Sequence, residues 1–130
     1  MKNYEQFYIN GEWVNPANEL KTMDVINPAT EDVIGKIAMG DSDDVDKAVK
    51  AAKDAFVTFG QTSTEERIAI LQKIVELYMA RADEFAEVIS LENGSPITLA
   101  KNAQAASGIG NITTAIATQQ NYKYKEIKEE

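Results

Sequence analysis

The sequence predicts a β-hairpin and short strands, followed by about four helices. Asn10-Gly11 separates two stretches rich in β-favouring residues, and Asn-Gly supplies the positive φ angles that a type I′ hairpin turn requires. From residue 42 onwards, apolar residues recur every three or four positions, which is typical of amphipathic helices. We therefore expect a single segment over residues 1–130, with a hairpin and strands at residues 1–40, helices at residues 41–121 and a strand-like tail at residues 122–130.

Two further extended stretches follow the hairpin. Residues 23–27 end just before Pro28, and proline disfavours the helical conformation of the residue that precedes it. Residues 32–39 contain several β-branched residues. Both stretches are predicted strands, and the alternating pattern of residues 122–127 predicts another one at a sheet edge. In the hairpin, we expect Phe7, Tyr8 and Trp13 to anchor against a core.

The first two helices have clear boundaries. Ser42 is the expected N-cap of the first, and acidic residues follow it where the helix dipole favours them. Gly60 ends this helix, and Ser63 with Glu66 forms a capping box for the second. The apolar stripe of the first helix consists of Val45, Ala48, Val49, Ala52 and Phe56; the expected buried face of the second consists of Ile70, Leu71, Ile74, Leu77 and Tyr78.

A shorter third helix is predicted to end at Asn93-Gly94, before a fourth. Ser95 is the expected cap of the fourth helix, with Pro96 at its first position, where the missing N–H costs nothing. Gly108 and Gly110 lie within it; they either permit close backbone approach or mark a break, and both interpretations stay open. Its expected apolar side carries Ala100, Ala103, Ala106, Ile112 and Ile116.

Composition excludes several classes of function. The chain has 130 residues and a net charge of -8, so a nucleic-acid-binding face is not expected. No apolar run approaches the roughly 18 residues that a membrane span requires. The first residues lack the order of a signal peptide. We therefore expect a cytoplasmic protein that binds neither nucleic acid nor membrane.

The sequence contains no cysteine and no histidine. This excludes disulfides, thiolate metal sites and imidazole bases. No other residues form a recognisable pair of nucleophile and base, so we expect no covalent catalysis by this chain alone. Gly108-Ile109-Gly110 is interpreted as helix packing and not as a dinucleotide loop, because a helix and not a strand precedes it.

Gly40-Asp41-Ser42 is similar to the prosthetic-group site of acyl carrier proteins, which are also small and acidic. Those proteins usually place an aliphatic residue after the serine, whereas this chain has Asp43. We interpret Ser42 as a helix cap and keep an acyl-carrier-like protein modified at Ser42 as a minor alternative.

Five segments in one order resemble the amino-terminal part of bacterial aldehyde dehydrogenases, and the resemblance covers essentially the whole chain. These segments are residues 7–14, residues 26–30 together with 33–38, residues 44–52, residues 65–71 and residues 92–96. The resemblance implies an α/β fold of the aldehyde dehydrogenase type. It also implies a complete enzyme that oxidises an aldehyde to a carboxylic acid with NAD or NADP.

The family's catalytic cysteine, catalytic glutamate segment, oxyanion asparagine and cofactor-contacting lysine have no counterpart in residues 1–130. We therefore expect no catalytic and no cofactor-binding residue here, and no cofactor bound by this chain alone. Glu92 does not match the catalytic glutamate, because its surroundings match a different family segment.

The resemblance implies two minor sites. Many family members hold a structural alkali cation, and the matching positions here are the backbone carbonyls of Val25 and Ile26 and the side chain of Glu92. Ala103 and Ser107 match positions that border the family's substrate tunnel. Both are small and would leave space for an aldehyde.

The predicted helices carry apolar faces but have few strands to receive them. We therefore expect a chain that is marginally stable, self-associating or partly molten by itself. An alternative of another class is a stand-alone helical interaction module that docks on a full-length relative through these faces.

Overall fold

The computed structural model describes residues 2–124, with the backbone only at Lys2. Their contacts divide the chain into two compact units. One unit contains residues 2–61 and 90–95 and holds the strands and the first helix. The other contains residues 62–89 and 96–124 and is helical. The predicted order of strands followed by helices is confirmed.

The hairpin at Asn10-Gly11 is confirmed. Strand β2 (Phe7–Ile9) pairs antiparallel with strand β3 (Glu12–Val14), with Tyr8 opposite Trp13. Asn10 and Gly11 have φ angles of 54° and 82°, the positive values of a type I′ turn.

The expectation that all three hairpin aromatics anchor against a core is wrong for two of them. Tyr8 and Trp13 are 64% and 62% exposed, and their rings contact each other at a centroid distance of 5.2 Å. Phe7 is half-buried. The reason is the two-residue period of a strand, which sends neighbouring side chains to opposite faces.

The remaining strands form a three-stranded sheet in the order β1-β5-β4. Strands β4 (Lys21–Ile26) and β5 (Val33–Met39) correspond to the two predicted stretches and pair antiparallel. Strand β1 (Lys2–Tyr4) pairs parallel with β5 and was not predicted, because three residues are too few to show a periodic pattern.

Helix α1 (Ser42–Phe59) ends at Gly60, as predicted, but its N-cap is Asp41 and not Ser42. The Asp41 side chain accepts hydrogen bonds from the backbone N–H groups of Asp43 and Asp44, at 2.9 and 3.3 Å. The Asp44 carboxylate accepts one from the Asp41 N–H at 3.1 Å, which completes a capping box. A carboxylate one residue earlier thus replaces the predicted serine.

Helices α2 (Thr64–Ala80) and α3 (Ala82–Asn93) follow. The capping box of α2 is confirmed: the Glu66 N–H donates to Ser63 Oγ at 3.1 Å, and the Ser63 N–H donates to Glu66 Oε2 at 2.7 Å. The predicted end of α3 at Asn93-Gly94 is also confirmed, with Gly94 at a φ of 71°.

The fourth helical segment differs from its prediction at the start. Ser95 does not cap this segment. The N-cap is Pro96, whose side chain makes no capping hydrogen bond, and α4 (Ile97–Leu99) begins directly after it. A π-helical turn (Ala100–Gln104) leads into α5 (Ala105–Asn121). Gly108 and Gly110 lie inside α5, so neither marks a break. Gly108 permits a close approach, whereas a Cβ atom at Gly110 would meet nothing within 4 Å.

The core of the helical unit consists of small residues. Ala86 and Ala100 are fully buried and Ala105 is 2% exposed, with Ile89 packed against them. Within the described residues, no large side chain is fully buried. Close alanine contacts bring helix backbones together but remove little apolar surface from water.

The predicted apolar side of the fourth helix is wrong at two positions, because Ala103 and Ala106 are exposed. The π turn is the cause. In an α-helix, residues five apart lie about 140° apart around the axis, so Ala100 and Ala105 would not share a face. In the π turn, the Ala105 N–H donates to the Ala100 carbonyl, and this wider turn brings both alanines to the buried side.

The predicted buried face of α2 is also wrong for most of its residues. Ile70, Ile74 and Leu77 are exposed. Helix α2 packs against α5. Its half-buried stripe consists of Ile68, Leu71, Val75 and Tyr78, of which only Leu71 and Tyr78 belong to the predicted face. Both stripes have helical spacing, so periodicity alone could not show which one meets a partner.

The predicted tail strand is absent from its described part. Tyr122, Lys123 and Tyr124 form no strand, and the two tyrosine rings contact each other at a centroid distance of 4.9 Å. Residues 125–130 lie outside the described residues, so the prediction is untested there.

Within residues 2–124, no helix combines the length and the apolar character that crossing a membrane demands.

Candidate functional site

The turn between β4 and β5 follows the two predicted backbone ligands, Val25 and Ile26. Asn27 is buried, and its side chain accepts a hydrogen bond from the Ala29 N–H at 2.9 Å. The Asn27 carbonyl also accepts one from the Glu31 N–H at 2.8 Å. Asn27 therefore fixes the path of the chain directly after Ile26.

The loop that follows α3 lies against this turn. A Cβ atom at Gly94 would stand 3.0 Å from Pro28 Cγ and 3.1 Å from the Ala29 nitrogen. Gly94 also has a positive φ, which glycine adopts without strain. Glycine thus permits a close backbone contact between the segment that carries Glu92 and the turn after Val25 and Ile26.

Two hydrogen bonds fix the loop itself. Ser90 Oγ donates to the Ser95 carbonyl at 2.7 Å, and the Ser95 N–H donates to Asn93 Oδ1 at 2.9 Å. Glu92 lies exposed in the last turn of α3. The Glu92 carboxylate is therefore accessible to solvent, and it lies next in sequence to the fixed loop that follows α3.

In the part of the chain that the structure describes, no group of three or more acidic side chains could hold a metal ion. The predicted cation ligands are two backbone carbonyls and one carboxylate. Such a set of oxygen donors is typical of hard cations.

The two predicted tunnel residues occupy one exposed side of the fourth helical segment. Ala103 lies in the π turn and Ser107 in the first turns of α5, and both are exposed. Ser107 Oγ donates to the Gln104 carbonyl at 2.7 Å. Because this bond uses its proton, the hydroxyl presents acceptor lone pairs and a small volume on this side.

Tyr78 contacts the opposite side of α5. Its hydroxyl donates to the Ala105 carbonyl at 2.9 Å. A Cβ atom at Gly108 would stand 2.8 Å from the Tyr78 oxygen and 3.0 Å from its Cζ. Gly108 is therefore a close-approach glycine, and the tyrosine ring takes the space that a side chain would need.

Asp41 accepts hydrogen bonds both from Asn18 and from the first backbone N–H groups of α1. Asn18 Nδ2 donates to Asp41 Oδ2 at 2.9 Å and to Asp43 Oδ2 at 2.9 Å. The hydrogen bond from Asn18, followed by that from the Asp44 N–H, lowers the pKa of Asp41. Asp44 is buried and accepts from the Ala17 N–H at 2.7 Å. These bonds tie residues 17–18 to the start of α1, which is a structural role.

Residues 13–130 match the aldehyde dehydrogenase family. An aldehyde dehydrogenase structure from Bartonella henselae superimposes with a TM-score of 0.94 at 40% identity, over 97% of this chain and 26% of that one. The chain belongs to the aldehyde dehydrogenase family.

Two further relatives show how much of the aldehyde dehydrogenase family's length is present. A Staphylococcus aureus protein, named as a candidate aldehyde dehydrogenase, is 44% identical over 126 residues, which are 97% of this chain and 26% of the relative. A mutant of Pseudomonas syringae aldehyde dehydrogenase C, in complex with NAD+ and octanal, superimposes with a TM-score of 0.92 at 35% identity, over 96% of this chain and 26% of that one. This chain therefore spans about a quarter of its relatives and corresponds to the amino-terminal part of an aldehyde dehydrogenase.

This family assignment replaces the acyl-carrier alternative, and Ser42 lies in the first turn of α1. The structure places Val25, Ile26 and Glu92 in one unit, and Ala103 with Ser107 on one helical segment of the other. Sequence reasoning missed Tyr78 as a polar contact. The nearest signal for it was the unexplained Gly108 within a helical pattern.

Proposed function

We propose that this chain is the amino-terminal structural part of an NAD-dependent aldehyde dehydrogenase, which oxidises an aldehyde to a carboxylic acid. The observation that carries the proposal is the superposition, with a TM-score of 0.92, on a family member bound to NAD+ and octanal. In this proposal the chain supplies scaffold, a wall of the substrate tunnel and ligands for a cation.

The chemistry is assigned to parts of the enzyme outside these residues. The sequence has no cysteine or histidine, and Gly108-Ile109-Gly110 lies within α5. A loop that cradles a dinucleotide must follow a strand and precede a helix, so these glycines do not fit NAD. We propose no catalytic and no cofactor-binding residue within this chain, and a cytoplasmic location remains a prediction.

The activity can be tested with a hybrid enzyme, in which residues 1–130 replace the matching part of active Pseudomonas syringae aldehyde dehydrogenase C. We expect the hybrid to oxidise octanal with NAD+, and residues 1–130 alone to show no turnover. Turnover of acetaldehyde by residues 1–130 alone would contradict the assignment of the chemistry to other parts of the enzyme.

The Asn27 turn and the Gly94 loop support a structural alkali cation site formed by the carbonyls of Val25 and Ile26 and the carboxylate of Glu92. The close contact of Gly94 with Pro28 and Ala29 brings the two ligand-bearing segments together. Carbonyl and carboxylate oxygens suit hard cations. The ligand set is completed elsewhere in the proposed enzyme.

Thermal unfolding of the hybrid tests this cation site. The melting temperature is expected to rise when potassium or sodium chloride replaces a bulky quaternary ammonium chloride at equal ionic strength. Glu92→Gln is expected to abolish most of this rise. Glu87→Gln, on the exposed side of the same helix, is the matched control. An equal rise in both variants would contradict a role for Glu92.

We also propose that Ala103 and Ser107 border the tunnel through which the aldehyde enters. Their small side chains, exposed on one side of the segment, leave room for an alkyl chain. In the hybrid, Ser107→Leu is expected to lower kcat/KM for octanal at least tenfold, while the neighbouring Ala106→Leu leaves it within about threefold. Equal effects of the two leucines would contradict the assignment.

The α1 stripe supports a second candidate function, self-association or docking on a full-length relative. The stripe consists of Val45, Ala48, Val49, Ala52 and Phe56, of which Val45, Val49 and Phe56 are largely exposed. Large apolar patches of this kind mark interaction surfaces. Size-exclusion chromatography of the chain with a full-length relative tests it, and failure to co-elute would count against docking.

A further inference from the structure

The Tyr78 side chain touches the backbone of α5 at two points. Its hydroxyl donates to the Ala105 carbonyl at 2.9 Å, and its oxygen and Cζ lie only 2.8 and 3.0 Å from the place that a Cβ atom at residue 108 would take. Ala105 and Gly108 lie about one turn apart along the same side of the helix. A polar contact and a steric contact at separate points resist both sliding and rotation of α5 on α2.

The tyrosine ring is itself held in place. It stacks on Phe85 with a centroid distance of 4.2 Å and an interplanar angle of 7°. The Arg81 guanidinium lies 5.9 Å from the Phe85 ring centroid, within the distance at which a cation is attracted to a ring face. The ring therefore has little freedom to follow α5 if that helix moves.

The candidate tunnel residues lie on the side of the helix that Tyr78 does not touch. Ser107 follows Ala105 by two positions, which is about 200° around an α-helix. Ala103 lies in the π turn, which contains the hydrogen bond from the Ala105 N–H to the Ala100 carbonyl. Ala105 is also the residue whose carbonyl accepts the hydrogen bond from Tyr78. A rotation of α5 by about 20° would move a side chain about 5 Å from the helix axis by roughly 1.7 Å.

We infer that Tyr78 is a positioning residue, which fixes the rotation of α5 through Ala105 and Gly108 and so sets where Ala103 and Ser107 meet the substrate. The inference rests on the proposed tunnel role of those two residues. Displacements of about 1 Å at positioning groups suffice to change rates by orders of magnitude. Tyr78 therefore contributes to the choice among aldehydes of different chain length without touching them.

The test uses the hybrid enzyme and the ratio of kcat/KM for octanal to kcat/KM for acetaldehyde. Tyr78→Phe removes only the hydroxyl and is expected to change this ratio at least threefold, with the KM for NAD+ within twofold. Tyr8→Phe removes an exposed hydroxyl from the hairpin and is the matched control, with no change expected. A residue that merely stabilises the fold would lower the melting temperature and leave the ratio unchanged.

Gly108→Ala supplies an independent variant, because its methyl group must displace the Tyr78 ring. It is expected to change the ratio in the same experiment even if Tyr78→Phe is poorly folded. Ratios that stay within experimental error in the folded variants would overturn the inference. If instead the parent hybrid folds and binds NAD+ but oxidises neither aldehyde, the proposed function fails, and this outcome is distinct from an unchanged ratio in an active enzyme.

Discussion

Helices α1 and α5 are of nearly equal length but differ in how they are held. Helix α5 packs on α2, receives the Tyr78 hydroxyl and buries Ala105 to 2% exposure. Helix α1 is held at its start by the hydrogen bonds of Asp41 and Asp44. Phe56, on its apolar stripe, is 68% exposed. The difference shows that regular helical patterning does not by itself determine how much of a helix is covered by the rest of the described residues.

The comparison has an energetic meaning. Burial of apolar surface contributes about 25 cal/mol per Å², and a domain is stable by only about 5–15 kcal/mol. The alanine contacts around α5 bury little apolar surface, and the exposed stripe of α1 buries less. In the proposed complete enzyme, further segments would cover these faces; alone, the chain is expected to be marginally stable.

The largest expected effect on stability comes from a larger side chain at Ala105, the buried residue of α5. Ala105→Leu should lower the free energy of unfolding by about 1–3 kcal/mol, because a larger side chain has no space beside Ala86 and Ala100. Urea unfolding at low temperature, followed by circular dichroism at 222 nm, measures this. The exposed neighbour Ala106→Leu should change stability by less than about 0.5 kcal/mol. Equal losses would show that α5 has no preferred packed side.

The start of α1 should give an effect of intermediate size that depends on pH. The pKa of Asp41 is lowered by the hydrogen bonds from Asn18 and the Asp44 N–H. Its stabilising contribution is therefore complete above the ordinary value of 3.8 and is lost as the pH falls through the lower folded-state pKa.

Asp41→Asn keeps a favourable cap residue and removes this titration. As the pH falls below 3.8, the melting temperature of the wild-type chain should therefore fall more steeply than that of Asp41→Asn. Asp46→Asn, on the same helix, removes a carboxylate without touching the cap and should keep the wild-type slope. Parallel curves for the wild type and Asp41→Asn would contradict this account of the cap.

The smallest effect on stability is expected on the α1 stripe. Phe56→Ser should change the free energy of unfolding by no more than about 0.5 kcal/mol in the isolated chain, because Phe56 is already exposed there. It should, however, weaken self-association in sedimentation velocity experiments. Lys53→Ser on the same helix is the control and should leave association unchanged. A large loss of stability in Phe56→Ser would show that α1 is packed after all.

Local signals in the sequence were sufficient where one residue determines the conformation. Asn10-Gly11, the Ser63–Glu66 box and the stops at Gly60 and Gly94 were predicted because each depends on backbone geometry or on a neighbour within a few positions. The replacement of Ser42 by Asp41 as the cap followed from two acceptors in adjacent positions, either of which is a good cap by itself.

Tertiary partners could not be predicted in the same way. Helix α2 carries two apolar stripes, and only contact with α5 decides that Leu71 and Tyr78 are covered and Ile74 is not. The π turn at Ala100–Gln104 has no sequence signature, yet it rotates Ala103 out of the expected packed side. The candidate ligand and tunnel residues came from the family resemblance alone, since their spacing has no chemical pattern of its own.

The central claim is that the apolar side chains left exposed on this chain are covered by other segments of the proposed complete enzyme. Thermal unfolding of purified residues 1–130, followed together with sedimentation, tests it most directly. We expect a broad transition of low cooperativity, accompanied by self-association that increases with concentration. A sharp two-state transition of a monomer above about 65 °C, the upper end for ordinary mesophilic domains, would contradict the claim.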